Sequence, residues 1–94
     1  MAITVYGTNL CPATLQALAI FTEHHVMPDF INVTGSIGLM KEYTKIRETD
    51  PAFRDLWGSG QLYFPFFRLE DGTITLSAKE AFRSVGIDAD LEYK

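Results

Sequence analysis

Ala2-Ile3-Thr4-Val5-Tyr6-Gly7-Thr8-Asn9-Leu10-Cys11-Pro12 is the stretch on which the fold turns. Ile3 and Val5 alternate with polar neighbours in a β-rich segment, which predicts a strand over Ala2–Tyr6. Gly7-Thr8-Asn9 reads as a loop. Pro12 suits the first turn of a helix, where its missing N–H costs nothing. Leu15, Leu18, Ala19, Thr22 and Val26 then follow helical spacing, with Ala13, Ala17, Ile20 and Phe21 as a second apolar stripe. A helix with apolar residues on most sides is buried on more than one side. Pro28 disfavours helix at Met27, so the helix is expected to end near His24-His25.

Working outward, Asp29–Val33 alternates and predicts a second strand. Thr34-Gly35-Ser36 is a turn with helix-start character. Ile37 to Glu48 has an amphipathic pattern with Lys41, Glu42, Lys45, Arg47 and Glu48 on its polar side. Pro51–Trp57 reads as a short second helical piece closed by Gly58. Gln61–Leu69 is aromatic-rich and predicts a third strand. Asp71-Gly72 is the strongest hairpin signal, and Thr73–Leu76 returns as the fourth strand. Ser77-Ala78-Lys79-Glu80 is a capping-box pattern that starts a last helix, ending at Gly86. The acidic tail from Ile87 to Lys94 is expected to fray.

The predicted order is β-α-β-α-β-β-α. The first strand–helix–strand unit is expected to be parallel and right-handed. The hairpin adds an antiparallel pair, giving a mixed four-stranded sheet with helices on both faces.

Ninety-four residues make one domain, 1–94. Such a chain buries roughly 60–65% of its unfolded surface. Hydrophobic residues are 47% and aromatics 13%, which excludes a disordered chain. The net charge is −4, and residues 1–40 contain no Lys or Arg. This argues against nucleic acid as a partner, which needs a basic face. The most apolar run, Leu10–Phe21, is shorter than the ~20 residues of a spanning helix. No basic residue precedes it, so neither a membrane nor a secretory route is expected, and a cytoplasmic location is the default.

The lone cysteine, Cys11, excludes an internal disulfide framework and a Cys-rich zinc site. It is either a small packed hydrophobe or a thiol working without a second cysteine. Free N–H groups and the dipole at a helix N-terminus favour an anion, hence a thiolate. No cation lies near Cys11 in sequence. Any must come from Lys41, Lys45, Arg47 or Arg54. Thr14 can donate a hydrogen bond to a thiolate but cannot resolve a mixed disulfide. Pro65, inside Leu62-Tyr63-Phe64-Pro65-Phe66-Phe67, requires an edge position, a strand start or a cis bond.

Trp57, Tyr63, Phe64, Phe66 and Phe67 read as core on both sides of a central strand. A substrate groove or a dimer contact is the other reading of these aromatics. His24-His25 reads as a helix-end pair, because adjacent helical residues diverge by about 100° and no third metal ligand is in sight. No metal site is expected.

Tyr6-Gly7-Thr8-Asn9-Leu10-Cys11-Pro12-Ala13-Thr14 resembles the active-site segment of glutaredoxins, within the thioredoxin-fold superfamily. Tyr63-Phe64-Pro65 resembles the family's Thr-Val-Pro segment. The likeness spans about Ala2 to Val85. It implies a glutaredoxin-like thioredoxin fold and catalysis by Cys11, with Pro12 and Thr14 in the same motif. It also implies a cis bond at Pro65, with that proline facing the cysteine, and substrate binding by Phe64 and Pro65. The family's glutathione-binding Gly-Gly-x-x-Asp segment aligns with Thr75 to Lys79, which includes Ser77.

Thr14 replaces the second cysteine of dithiol members, and Thr8 replaces the family's lysine. Lys79 stands at the acidic position, with Glu80 one step on. The implied activity is monothiol thiol–disulfide exchange with an external thiol, glutathione or similar, as reductant. The implied partners are a disulfide-containing or glutathionylated protein, or a small thiol. Glutathione enters as a co-substrate, and no resident cofactor is called for. The alternative is a non-catalytic thioredoxin-fold binding module. A third reading, an iron–sulfur carrier, fits least, because its Cys-Gly-Phe-Ser motif is not matched.

Overall fold

Strand β1 (Thr4–Gly7) lies inside the sheet, so both of its edges are paired. The computed structural model describes residues 3–58 and 63–92. The elements after β1 are α1 (Pro12–Glu23), β2 (Asp29–Asn32), α2 (Ile37–Thr49) and a 3-10 helix (Pro51–Leu56). β3 (Phe66–Arg68), β4 (Ile74–Thr75) and α3 (Ala78–Ser84) follow. The sheet order is β2-β1-β3-β4. β1 runs parallel to β2 and antiparallel to β3, and β4 is antiparallel to β3. This is the mixed four-stranded sheet, in the element order, expected from the sequence.

The register explains the two-sided core. Val5 faces Phe67 across the ladder, and Tyr6 faces Phe66. Side chains alternate along a strand, so the two pairs point to opposite faces. On the first face Val5 and Phe67 join Ala17 and Phe21 of α1 and Ala81 and Phe82 of α3. On the second, Tyr6 and Phe66 stack at 4.6 Å and join Tyr43 of α2 and Phe53 of the 3-10 helix. Helices therefore cover both faces.

The helix ends follow local chemistry. Ser36 Oγ accepts the Leu39 N–H at 3.1 Å, and Ser77 Oγ accepts the Glu80 N–H at 3.1 Å. The Glu80 carboxylate does not complete a capping box. It accepts from the Thr75 hydroxyl at 2.8 Å, and Thr75 Oγ1 in turn accepts the Ser77 N–H. The His24 imidazole donates from Nδ1 to the Ile20 carbonyl at 2.9 Å, and His25 takes a φ of 61°. This is the helix-end role expected of the pair. Gly58, Gly72 and Gly86 all have positive φ, and Gly72 closes the β3–β4 turn. Asp71 Oδ1 accepts the Thr73 N–H there, which holds its carboxyl below the usual range.

The third strand and the tail also depart from expectation. The third strand is shorter than Gln61–Leu69, because Tyr63–Pro65 run up to it outside the ladder. Gln61 and Leu62 lie outside the described residues. The tail does not fray over residues 87–92. Ile87 is buried, Ala89 and Leu91 pack on the first core cluster, and the Glu92 N–H donates to Gln16 Oε1 at 2.9 Å.

One close approach sets the start of α1 against β1. A Cβ at Gly7 would lie 2.5 Å from Thr14 Oγ1 and 2.6 Å from Thr14 Cγ2. Thr14 is fully buried and β-branched, so it has no room to turn aside. Gly7→Ala should therefore cost about 1–3 kcal/mol, seen as a lowered midpoint in urea. Adding Thr14→Ala should recover part of that loss. Equal losses in single and double variants would show that the contact does not limit packing.

Candidate functional site

Cys11 occupies the N-cap of α1 with φ −104° and ψ 119°. Its N–H donates to the Thr8 carbonyl at 3.0 Å, and its carbonyl accepts the Leu15 N–H at 3.2 Å. The Cys11 side chain makes no capping bond. Pro12, at the first helical position, has no N–H to satisfy. The next N–H groups therefore face the cap end without a side-chain acceptor from Cys11. Such an end favours negative charge.

The loop before Cys11 is held by a run of hydrogen bonds. Thr8 is buried, and its hydroxyl accepts the Leu10 N–H at 3.2 Å. Thr8 and Thr34 hydroxyls pair at 2.8 Å, and Thr34 donates to Asn32 Oδ1 at 2.9 Å. Asn32 Nδ2 donates to Asn9 Oδ1 at 3.4 Å. The run joins the ends of β1 and β2 to the loop that delivers Cys11. Thr8 thus has a structural role where the family resemblance would place a lysine.

Cys11 is half-buried and opens into a groove of ≈ 560 Å³. One side is Cys11, Pro12 and Ala13 from the start of α1. Tyr63, Phe64 and Pro65 form a second side, and Leu76, Ser77 and Ala78 a third. Asp90 and Leu91 close it from the C-terminal stretch. The Phe64–Pro65 peptide bond is cis. Among the alternatives for Pro65 the cis bond holds, and the residue stands just before β3 rather than in it.

Five of the six residues singled out from sequence share this groove: Cys11, Pro12, Phe64, Pro65 and Ser77. Thr14 is the exception. It packs on Gly7, and its hydroxyl makes no hydrogen bond, not even to the Cys11 sulfur. Lys41 and Lys45 sit on the outer side of α2, and Arg47 donates to the Leu56 carbonyl at 3.4 Å. Neither these three nor Arg54 lines the groove, where Asp90 is the one charged residue among those described. No described group of three or more His, Cys, Asp or Glu side chains could hold a metal.

The aromatics divide between core and groove. Phe66 and Phe67 are fully buried, while Tyr63 is 38% exposed on the groove wall. Trp57 lies outside both, with its indole N–H donating to the Arg47 carbonyl at 2.8 Å. Asp90 and Leu91 were not anticipated in the site. Their signal was the apolar alternation of Ile87, Ala89 and Leu91, which draws the tail back over α1.

The fold and the site define a small α/β domain carrying a single thiol in a mostly apolar groove. No family model matches the chain, and comparison with curated proteins and with solved structures finds no significant similarity. No described helix is long and apolar enough to cross a membrane.

Proposed function

We propose that this chain is a glutaredoxin-like domain of thioredoxin fold that performs monothiol thiol–disulfide exchange through Cys11. The observation that carries the reading is the groove itself: a half-buried thiol at a helix N-cap shares it with a cis-proline segment. The sheet order β2-β1-β3-β4, with β1 and β2 parallel, fits the same reading.

In the proposed reaction the Cys11 thiolate attacks one sulfur of a disulfide. A new S–S bond forms to Cys11, and the other sulfur leaves as a thiolate. An external thiolate then attacks the partner's sulfur in this mixed disulfide. Cys11 departs as thiolate, and the partner leaves disulfide-bonded to the attacking thiol. The external step is required because the chain has no second cysteine. The N-terminus of α1 supports the thiolate, and Phe64 and Pro65 form the wall against which the partner lies. Ser77 contributes to the groove's third side, although its hydroxyl already caps α3. The partner class is a disulfide-bearing or glutathionylated protein, or a small thiol such as glutathione, in the cytoplasm.

A second reading, a binding module without redox activity, is favoured by two observations. The Thr14 hydroxyl does not reach the sulfur, and no described cation lines the groove. Turnover of 2-hydroxyethyl disulfide with an external thiol separates the two readings. Catalysis that depends on Cys11 supports exchange. A thiol that alkylates with iodoacetamide as a free cysteine does, with no turnover, leaves the binding module.

A further inference from the structure

We infer that the hydroxyl of Tyr43 is a positioning group for the groove wall opposite Cys11, an inference that rests on the thiol–disulfide reading. Tyr43 lies on α2, is 1% exposed, and touches none of the groove's space. Its hydroxyl nevertheless engages the wall twice. It accepts the Tyr63 N–H at 3.0 Å and donates toward the Tyr63 carbonyl at 3.4 Å. Its ring lies 4.9 Å from that of Phe64. Tyr63 then reaches across with its own hydroxyl to the Leu76 carbonyl at 3.2 Å, on the groove's third side.

The ring and the hydroxyl of Tyr43 have separable roles. The ring fills the second core cluster, a task phenylalanine performs equally well. The hydroxyl holds the backbone of a segment that lies outside the β3 ladder. Tyr63–Pro65 therefore lack strand pairing to fix them, and the bonds from Tyr43 supply a substitute. A wall held this way stays at a set spacing from Cys11, which matters only to a reactant large enough to lean on it. A small alkylating reagent meets the sulfur without using the wall.

The test is Tyr43→Phe, read against two reagents. Oxidised glutathione is the wall-contacting probe. Cys11 bonds to one glutathione sulfur, and the second glutathione leaves as thiolate. The concentration of oxidised glutathione giving half-maximal adduct formation should rise about threefold to tenfold, as expected for loss of one or two modest hydrogen bonds. The limiting rate and the rate with iodoacetamide should stay within about twofold of wild type. Exchange of the Tyr63 amide hydrogen should quicken by a similar factor while that of Phe67, in the ladder, stays unchanged.

Unchanged half-saturation and unchanged Tyr63 exchange, in a wild type that does form the adduct, overturn the inference and leave the exchange reading standing. A parallel fall with both reagents also overturns it, since that marks a general structural role. A wild type that alkylates normally and forms no adduct overturns the exchange reading itself.

Discussion

Cys11→Ser should reduce disulfide exchange to the uncatalysed background, a loss on the order of 10²-fold or more. Oxygen matches sulfur in position at the N-cap but not in chemistry. A serine hydroxyl stays protonated near neutral pH and forms no disulfide, so neither the attack nor the covalent intermediate survives. The fold should be spared. The Cys11 side chain is half-buried and makes no capping bond, and serine is itself a favoured N-cap residue. Thermal unfolding should show the variant at least as stable as wild type, to within about 1 kcal/mol. Residual exchange in a folded Cys11→Ser protein would mean that the chemistry resides elsewhere.

Phe67→Ala should be strongly destabilising. Phe67 is fully buried in β3, which pairs with β1 on one side and β4 on the other. Its ring stands 6.4 Å from both Phe21 and Phe82, which are themselves 4.8 Å apart. It therefore joins α1, the sheet and α3 at one point. Truncation removes the transfer energy and leaves a cavity that three separate elements cannot all close upon, costing about 3–5 kcal/mol. A small domain has only about 5–15 kcal/mol in total, so the midpoint should fall by roughly 15–30 °C. Phe67→Leu should cost less, about 1–2 kcal/mol. A loss below about 1 kcal/mol for the alanine variant would contradict the two-sided core described above.

These expectations also mark what the sequence made legible. β1 and β2 are readable because alternation over Ile3–Val5 and Asp29–Val33 is local, and α1 because Pro12 and Pro28 bracket it. Cys11, Pro12 and Pro65 are legible from local pattern, whereas Phe64 and Ser77 enter only through the glutaredoxin resemblance; all five line one groove. The third strand is shorter than the sequence predicts, because alternating aromatics look like strand whichever backbone partners they have. Tyr63 instead bonds to the hydroxyl of Tyr43, which lies twenty residues earlier in sequence.

The role of Thr14 could not be seen because it depends on the missing Cβ of Gly7, a tertiary fact. The acidic residues of the tail mask the apolar alternation that docks it. Ile87, Ala89 and Leu91 keep one side against the core while Asp88 and Asp90 stay exposed. That fold-back brings Asp90, an acidic residue, to the groove, and no described cation lines it.

The most direct test of the account is the intact mass of the reduced protein after incubation with oxidised glutathione. One glutathionyl group should add to wild type, disappear on treatment with dithiothreitol, and fail to add to Cys11→Ser. A wild-type protein that stays unmodified while folded, with Cys11 open to iodoacetamide, would contradict the assignment of disulfide exchange to this thiol.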